Sequence, residues 1–317
     1  MNKVLTGATL MLALSLAPPS YAEDDQTRIS GTLEVELAAD TIAPPTAELA
    51  ITHELGKYVA AELVILYEDG VTGLDTAAMT LSPEDSNWSL SAGMIYMPFG
   101  NFDSAMISDP LTLSLGETQE AAIRYDYSLS NLSGSFYLFN GSNNVGGQAA
   151  LDNFGLKLTH ASEFMTTSFG YIDDIGDSDA LQAAIFNQLT NNNTSAKVAG
   201  QSIALGLRMG AISINSEMIS AVTAFQSGQV EAGAVQPMAT STELAYGFDI
   251  AGSESIVAIG AQTSRDANAL GIPKSRLMLG LSSDLQKDTR LGLQFSQDTD
   301  YGSVVTTSYA VKLTASF

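Results

Sequence analysis

The C-terminal stretch Ser308-Tyr309-Ala310-Val311-Lys312-Leu313-Thr314-Ala315-Ser316-Phe317 decides the fold. Tyr309, Val311, Leu313, Ala315 and Phe317 alternate strictly with Ser308, Ala310, Lys312, Thr314 and Ser316. A period of two is a strand with one apolar face. The strand ends on an aromatic residue, and a lipid-facing strand of a membrane barrel carries this pattern.

Working outward, the alternation recurs along the chain. Ile29, Gly31, Leu33, Val35 and Leu37 oppose Ser30, Thr32, Glu34 and Glu36; Leu244, Tyr246 and Phe248 oppose Glu243 and Asp249; Leu277, Leu279 and Leu281 oppose Arg276 and Ser282. Sixteen such segments are expected: 28–38, 46–55, 58–67, 75–82, 87–97, 118–128, 132–140, 152–160, 163–171, 200–209, 212–222, 240–249, 255–264, 275–284, 289–297 and 305–317. Each has about the length a tilted strand needs to cross hydrocarbon. Long connections (98–117, 141–151, 172–199, 223–239, 265–274) alternate with short turns, as external loops alternate with periplasmic turns in outer-membrane barrels. No fixed-period repeat points to a propeller or β-helix. The expected fold is all-β: a transmembrane antiparallel β-barrel of sixteen strands, wide enough for an aqueous channel. Residues 177–190 (DSDALQAAIFNQLT) predict a short helix in a long loop, covering the mouth or lying on its rim.

Both ends fit this placement. Residues 1–22 read as an export signal: Lys3, an apolar run to Ala17, and the small-x-small site Ser20-Tyr21-Ala22. The expected division is 1–22 signal peptide and 23–317 barrel. Phe317 is similar to the terminal aromatic by which outer-membrane barrels are recognised for assembly, which implies the barrel-assembly machinery and outer-membrane lipid as partners. The location implied is the outer membrane of a Gram-negative cell. No later run is long and apolar enough for a membrane-spanning helix. Cysteine is absent, which excludes disulfides and thiolate metal sites.

The formal charge of −22 disfavours nucleic acid as a partner and favours cations or neutral solutes in a channel. No enzyme constellation is visible, and His53 and His160 fall on different segments. Neither a cofactor nor a metal site is expected. An outer-membrane hydrolase or adhesin on a barrel scaffold would need clustered polar residues at one rim, which the sequence does not offer.

Function then falls to the segment from Met97 to Thr118. Two prolines and two glycines make it a poor strand or helix, yet it is too apolar for an ordinary exposed loop. It is expected to fold into the lumen as a constriction loop over 98–117. Phe99, Phe102, Met106, Ile107, Leu111 and Leu113 would pack on the inner wall. Asp103, Asp109 and Glu117 would face water, with Glu120 and Arg124 pointing inward from the next strand as a charged eyelet.

The strings Ile95-Tyr96-Met97-Pro98-Phe99-Gly100, Met106-Ile107-Ser108-Asp109-Pro110-Leu111-Thr112 and Leu115-Gly116-Glu117-Thr118 resemble the hallmark segment of the LbtU-family siderophore porins. The resemblance covers residues 93–125 and is carried elsewhere by architecture. It implies an outer-membrane porin without a plug domain, passing a ferric siderophore or similar iron chelate. The short stretch from Glu23 to Arg28 agrees with a missing plug. The residues alone imply a general or cation-preferring diffusion porin equally well, and they leave a homo-oligomer open.

Overall fold

The computed structural model describes residues 26–38, 41–141, 151–188, 196–231 and 233–317, without the side chains of 186–188. The export signal expected over 1–22 lies outside them.

The chain folds as a closed 16-strand antiparallel barrel. The strands are β1 (Thr27–Ala38), β2 (Thr46–Gly56), β3 (Val59–Glu68), β4 (Val71–Leu81), β5 (Trp88–Tyr96), β6 (Gln119–Leu129), β7 (Leu132–Asn140), β8 (Leu151–Ala161), β9 (Met165–Ile172), β10 (Gly200–Met209), β11 (Ile212–Ala221), β12 (Met238–Ile250), β13 (Ser253–Arg265), β14 (Ser275–Gln286), β15 (Thr289–Thr299) and β16 (Val305–Ser316). Each pairs with its neighbours in sequence. A two-residue strand, Thr41–Ile42, lies beside the end of β1. β1 and β16 close the cylinder, in register from Thr32 opposite Ser316 to Ala38 opposite Ala310. Phe317 extends the seam through reciprocal backbone bonds with Gly31, both 3.1 Å. Closure leaves no unpaired sheet edge, which a spanning sheet requires.

The apolar face is outside. On β14, Leu277 and Leu279 are 57% and 53% exposed, while Met278 between them is 3% exposed. A water-soluble sandwich would reverse that order; a barrel in lipid requires it. Trp88 stacks on Tyr125, and Tyr246 on Phe248, at strand ends. Such amphipathic rings suit the headgroup zone.

Most boundaries fall within two residues of the sequence reading, and the largest difference is at β4. The segment expected at 75–82 begins at Val71, because β3 and β4 are joined by a two-residue turn. Asp69 and Gly70 both take positive φ, 51° and 81°. That geometry matches the twist of paired strands. A bulge between Val64 and Ile65 breaks the alternation that marks the start of β4.

Candidate functional site

The segment between β5 and β6 turns into the barrel. It is not irregular throughout. A six-residue helix, α1 (Leu111–Gly116), forms at its end, with Pro110 at the N-cap. Proline is tolerated at a helix start, where N–H groups have no intrahelical partner. Gly100 has φ +95° and Phe102 φ +56°, so the chain makes a sharp corner before it crosses the lumen. A Cβ on Gly100 would meet the Phe102 ring at 2.5 Å.

Side chains of the inner wall hold the segment by its backbone. Glu217 on β11 accepts from Asn101 N at 2.6 Å, Phe102 N at 3.2 Å and Thr112 Oγ1 at 2.9 Å. Glu243 on β12 accepts from Ala105 N at 2.9 Å and Ser104 Oγ at 2.7 Å. Gln262 on β13 accepts from Leu111 N at 3.1 Å. Gln294 on β15 accepts from Ile107 N at 2.7 Å and Ser108 N at 3.1 Å. Lys157 on β8 donates to Gly100 O at 2.5 Å. Arg276 on β14 reaches Asp109 O at 3.4 Å. A segment without ladder bonds must satisfy its buried amides somewhere, and here the wall supplies the acceptors.

Packing follows the same line. Phe99 and Leu111 are each 1% exposed and Met106 is 5% exposed. Met106 sits with Ala245, Ala258 and Met278, over Gly260 and Gly280. Ile107 lies against Gly292, which a Cβ would bring to 3.2 Å. Small residues at inward positions of four consecutive strands thus make the seat for the loop. Phe102 is half-buried against the larger apolar cluster, and Leu113 is buried.

A second inward element covers the first. The helix expected within 177–190 is α2 (Asp179–Gln188), preceded by a 3-10 turn at Ile175–Asp177. It lies on α1 rather than on the rim: Leu181 and Ile185 share one core with Leu111 and Leu115. Asp179 N donates to Glu117 O at 3.0 Å, and Gln182 Nε2 to Glu120 Oε1 at 3.4 Å. Asp174 caps the 3-10 turn through Gly176 N at 3.0 Å and accepts from Val198 N at 3.2 Å. Burial, helped by the charge of Asp177, raises the Asp174 carboxyl to about 7.

The five charged candidates do not gather in one ring. Burial pushes the Glu117 carboxyl up to about 8, and the charges of Asp179, Asp109, Asp75 and Glu68 add to it. Asp179 is raised to about 6 by burial, against a backbone N–H from Gln119. Asp103 is raised by burial and lowered by the charge of Lys157. Asp103 and Asp109 line a cavity of about 870 Å³ between the loop and the walls of β1–β3 and β10–β16. Glu120 is 8% exposed beneath α2. Arg124 pairs with Asp126 at 2.8 Å, and neither it nor Glu120 lines that cavity.

Sequence reading missed the wall residues Glu217, Glu243, Gln262 and Gln294. A signal was present: inward-facing Ala and Gly on β12–β15 interrupted by single long acceptors. Among the described residues, no group of three or more carboxylates and histidines could hold a metal ion.

No protein-family model matches the chain. It is similar to a UPF0422 protein of Coxiella burnetii, 27% identical over 222 residues, covering 67% of this chain and 47% of that protein. A UPF0422 protein of Legionella pneumophila is 24% identical over 289 residues, covering 81% of this chain and 54% of that protein. The chain spans about half the length of the curated relatives it matches. Among solved structures it is similar to the outer membrane channel DcaP of Acinetobacter baumannii, with TM-score 0.63 and 12% identity, covering 92% of this chain and 97% of that one. OmpF of Salmonella typhi, in complex with daunomycin, matches with TM-score 0.65 and 11% identity, covering 92% and 97%. At such identities the likeness establishes the fold, which is that of outer-membrane porins.

Proposed function

We propose that the chain is an outer-membrane channel through which small solutes diffuse, narrowed by residues 98–117 and favouring cations. The observation that carries this reading is the tethering of an apolar loop across the lumen of a closed barrel whose outer wall is apolar. Such a loop sets the bore, and the charge of the lining sets ion preference. Of the candidate eyelet residues, Asp103 and Asp109 stand where a solute would meet them. Glu117 lies at the loop's return, with Glu120 and Arg124 behind it on β6. Phe317, 74% exposed at the closing seam, is free to act as the assembly signal.

A ferric siderophore or similar iron chelate is the cargo implied by the resemblance over 93–125. An acidic lining would favour neutral or positively charged chelates. A channel of this kind allows only downhill flux, so uptake would need capture of the chelate in the periplasm.

Reconstitution into planar bilayers tests both levels. Stepwise conductance supports the channel, and its absence overturns it. Concentration-dependent block by a ferric siderophore, with impaired growth of a deletion strain on chelated iron, supports the cargo. Ohmic conductance without block by any ferric chelate tried, and unimpaired growth, overturns the cargo alone.

A further inference from the structure

The loop occupies one side of the lumen. Its side-chain tethers come from β8, β9 and β11–β15. On the β6–β12 side, α1, α2 and the wall share one apolar core in which Tyr137, Phe139, Ile172 and Ile219 have no exposed surface. Water and solute are excluded from that core, and a smaller cavity of about 430 Å³, lined by Asp103, Pro110, Glu217 and Arg208, opens beside it against β9–β12. The larger open volume, about 870 Å³, lies between the loop and the walls of β1–β3 and β10–β16, with β1, β2 and β3 on its far side from the tethers.

The charges on that open side sort into engaged and unengaged groups. Glu34 is held by Lys312 at 3.1 Å. Arg290 is held by Asp284 at 2.7 Å. Glu243 is committed to the loop. Glu48 on β2 and Glu68 on β3 line the cavity, and among the described residues neither has a hydrogen-bond or ion-pair partner. Glu48 stands directly opposite Leu66 in the β2–β3 register, and Glu68 follows two residues after Leu66. Positions so related lie about 7–8 Å apart on one face of a sheet. That separation is comparable to the screening length of physiological salt, about 8 Å, so a permeating ion feels both carboxylates at once.

We propose that the conducting path follows the wall of β1, β2 and β3, and that Glu48 and Glu68 are its charge-selecting residues. This rests on the channel reading above. It assigns selectivity to a wall that faces the loop across the cavity.

The experiment uses the full chain in bilayers under a KCl gradient, with folding checked by heat-modifiable gel migration. Wild type is expected to prefer potassium. Glu48→Gln with Glu68→Gln should lower the potassium-to-chloride permeability ratio by about threefold or more. Glu120→Gln, buried off the cavity, should leave it unchanged. An unchanged ratio in the double variant, or a larger effect from Glu120→Gln, overturns the proposal. A second measurement does not depend on conduction. The chain has no cysteine, so Glu48→Cys, Glu68→Cys and Glu120→Cys each carry a single thiol. A cationic methanethiosulfonate should modify the first two rapidly, faster than an anionic one, and the third slowly. Protection at 48 and 68, or faster reaction at 120, overturns the path even if no current is seen. A chain that labels as expected but never conducts sinks the channel reading instead.

Discussion

Replacing Glu217 by alanine tests whether the loop is latched as described. The carboxylate is 8% exposed and takes three donors from the loop, at 2.6, 3.2 and 2.9 Å. A hydrogen bond to a charged group is worth about 1.5–3 kcal/mol, and a stranded buried donor costs about 1–3 kcal/mol. Three donors lose their acceptor, but water entering from the neighbouring cavity recovers part of the loss. A net cost of about 3 kcal/mol is the working figure. It corresponds to about two decades in the local docked-to-undocked ratio. Lys157 also loses one of the two carboxylates whose charges bear on it, Glu217 and Asp103. Glu243, Gln262 and Gln294 still hold the middle of the loop, so it should fray at Asn101, Phe102 and Thr112 rather than leave. Single-channel recording should show higher conductance and more open-channel noise for Glu217→Ala. Glu217→Gln keeps one acceptor and should fall between. A folded Glu217→Ala barrel with wild-type conductance and noise would refute the latch.

Other outcomes follow from the same geometry. Deleting Asn101 to Thr112 should enlarge conductance while heat-modifiable migration persists; unchanged conductance would place the loop outside the current path. The seam between α1 and α2 should respond to pH. Docked, Glu117 keeps its proton to about 8, against an ordinary 4.5, so the docked state binds more protons. Its stabilisation is therefore full below about 4.5, weakens as pH rises, and levels off above about 8. Asp179 and Asp174, raised to about 6 and 7, act in the same sense, so channel noise should rise from pH 5 to 8 in wild type and rise less in Glu117→Gln. Gly100→Val forces a branched side chain into φ +95° and against the Phe102 ring, at a cost of about 1–3 kcal/mol. Limited proteolysis should then cut within 98–117 in the variant and spare the wild type.

The sequence by itself determined the strands and their facing. Alternation is local, and each residue's side of the sheet follows from its neighbours two positions away. The chain from Leu277 to Leu281 states which face meets lipid without reference to anything else. Loop lengths are equally local, so the order of long and short connections could be read directly. The need of 97–118 for a packing surface was legible too, because its apolar residues could not be left in water.

What the loop rests on was not legible. Glu217, Glu243, Gln262 and Gln294 lie more than 100 residues from Asn101, and their meeting depends on the radius and stagger of the closed barrel. The same holds for α2, whose helical spacing was visible but whose resting place on α1 was not. The charge pairs Arg124–Asp126, Arg276–Asp298 and Lys312–Glu34 are settled by strand register, and they decide which carboxylates stay open to the lumen. Only the tertiary structure puts Glu48 and Glu68 on the cavity and leaves Glu120 and Arg124 off it. Facing is a property of one strand, whereas a pore wall is a property of sixteen strands closed into a ring.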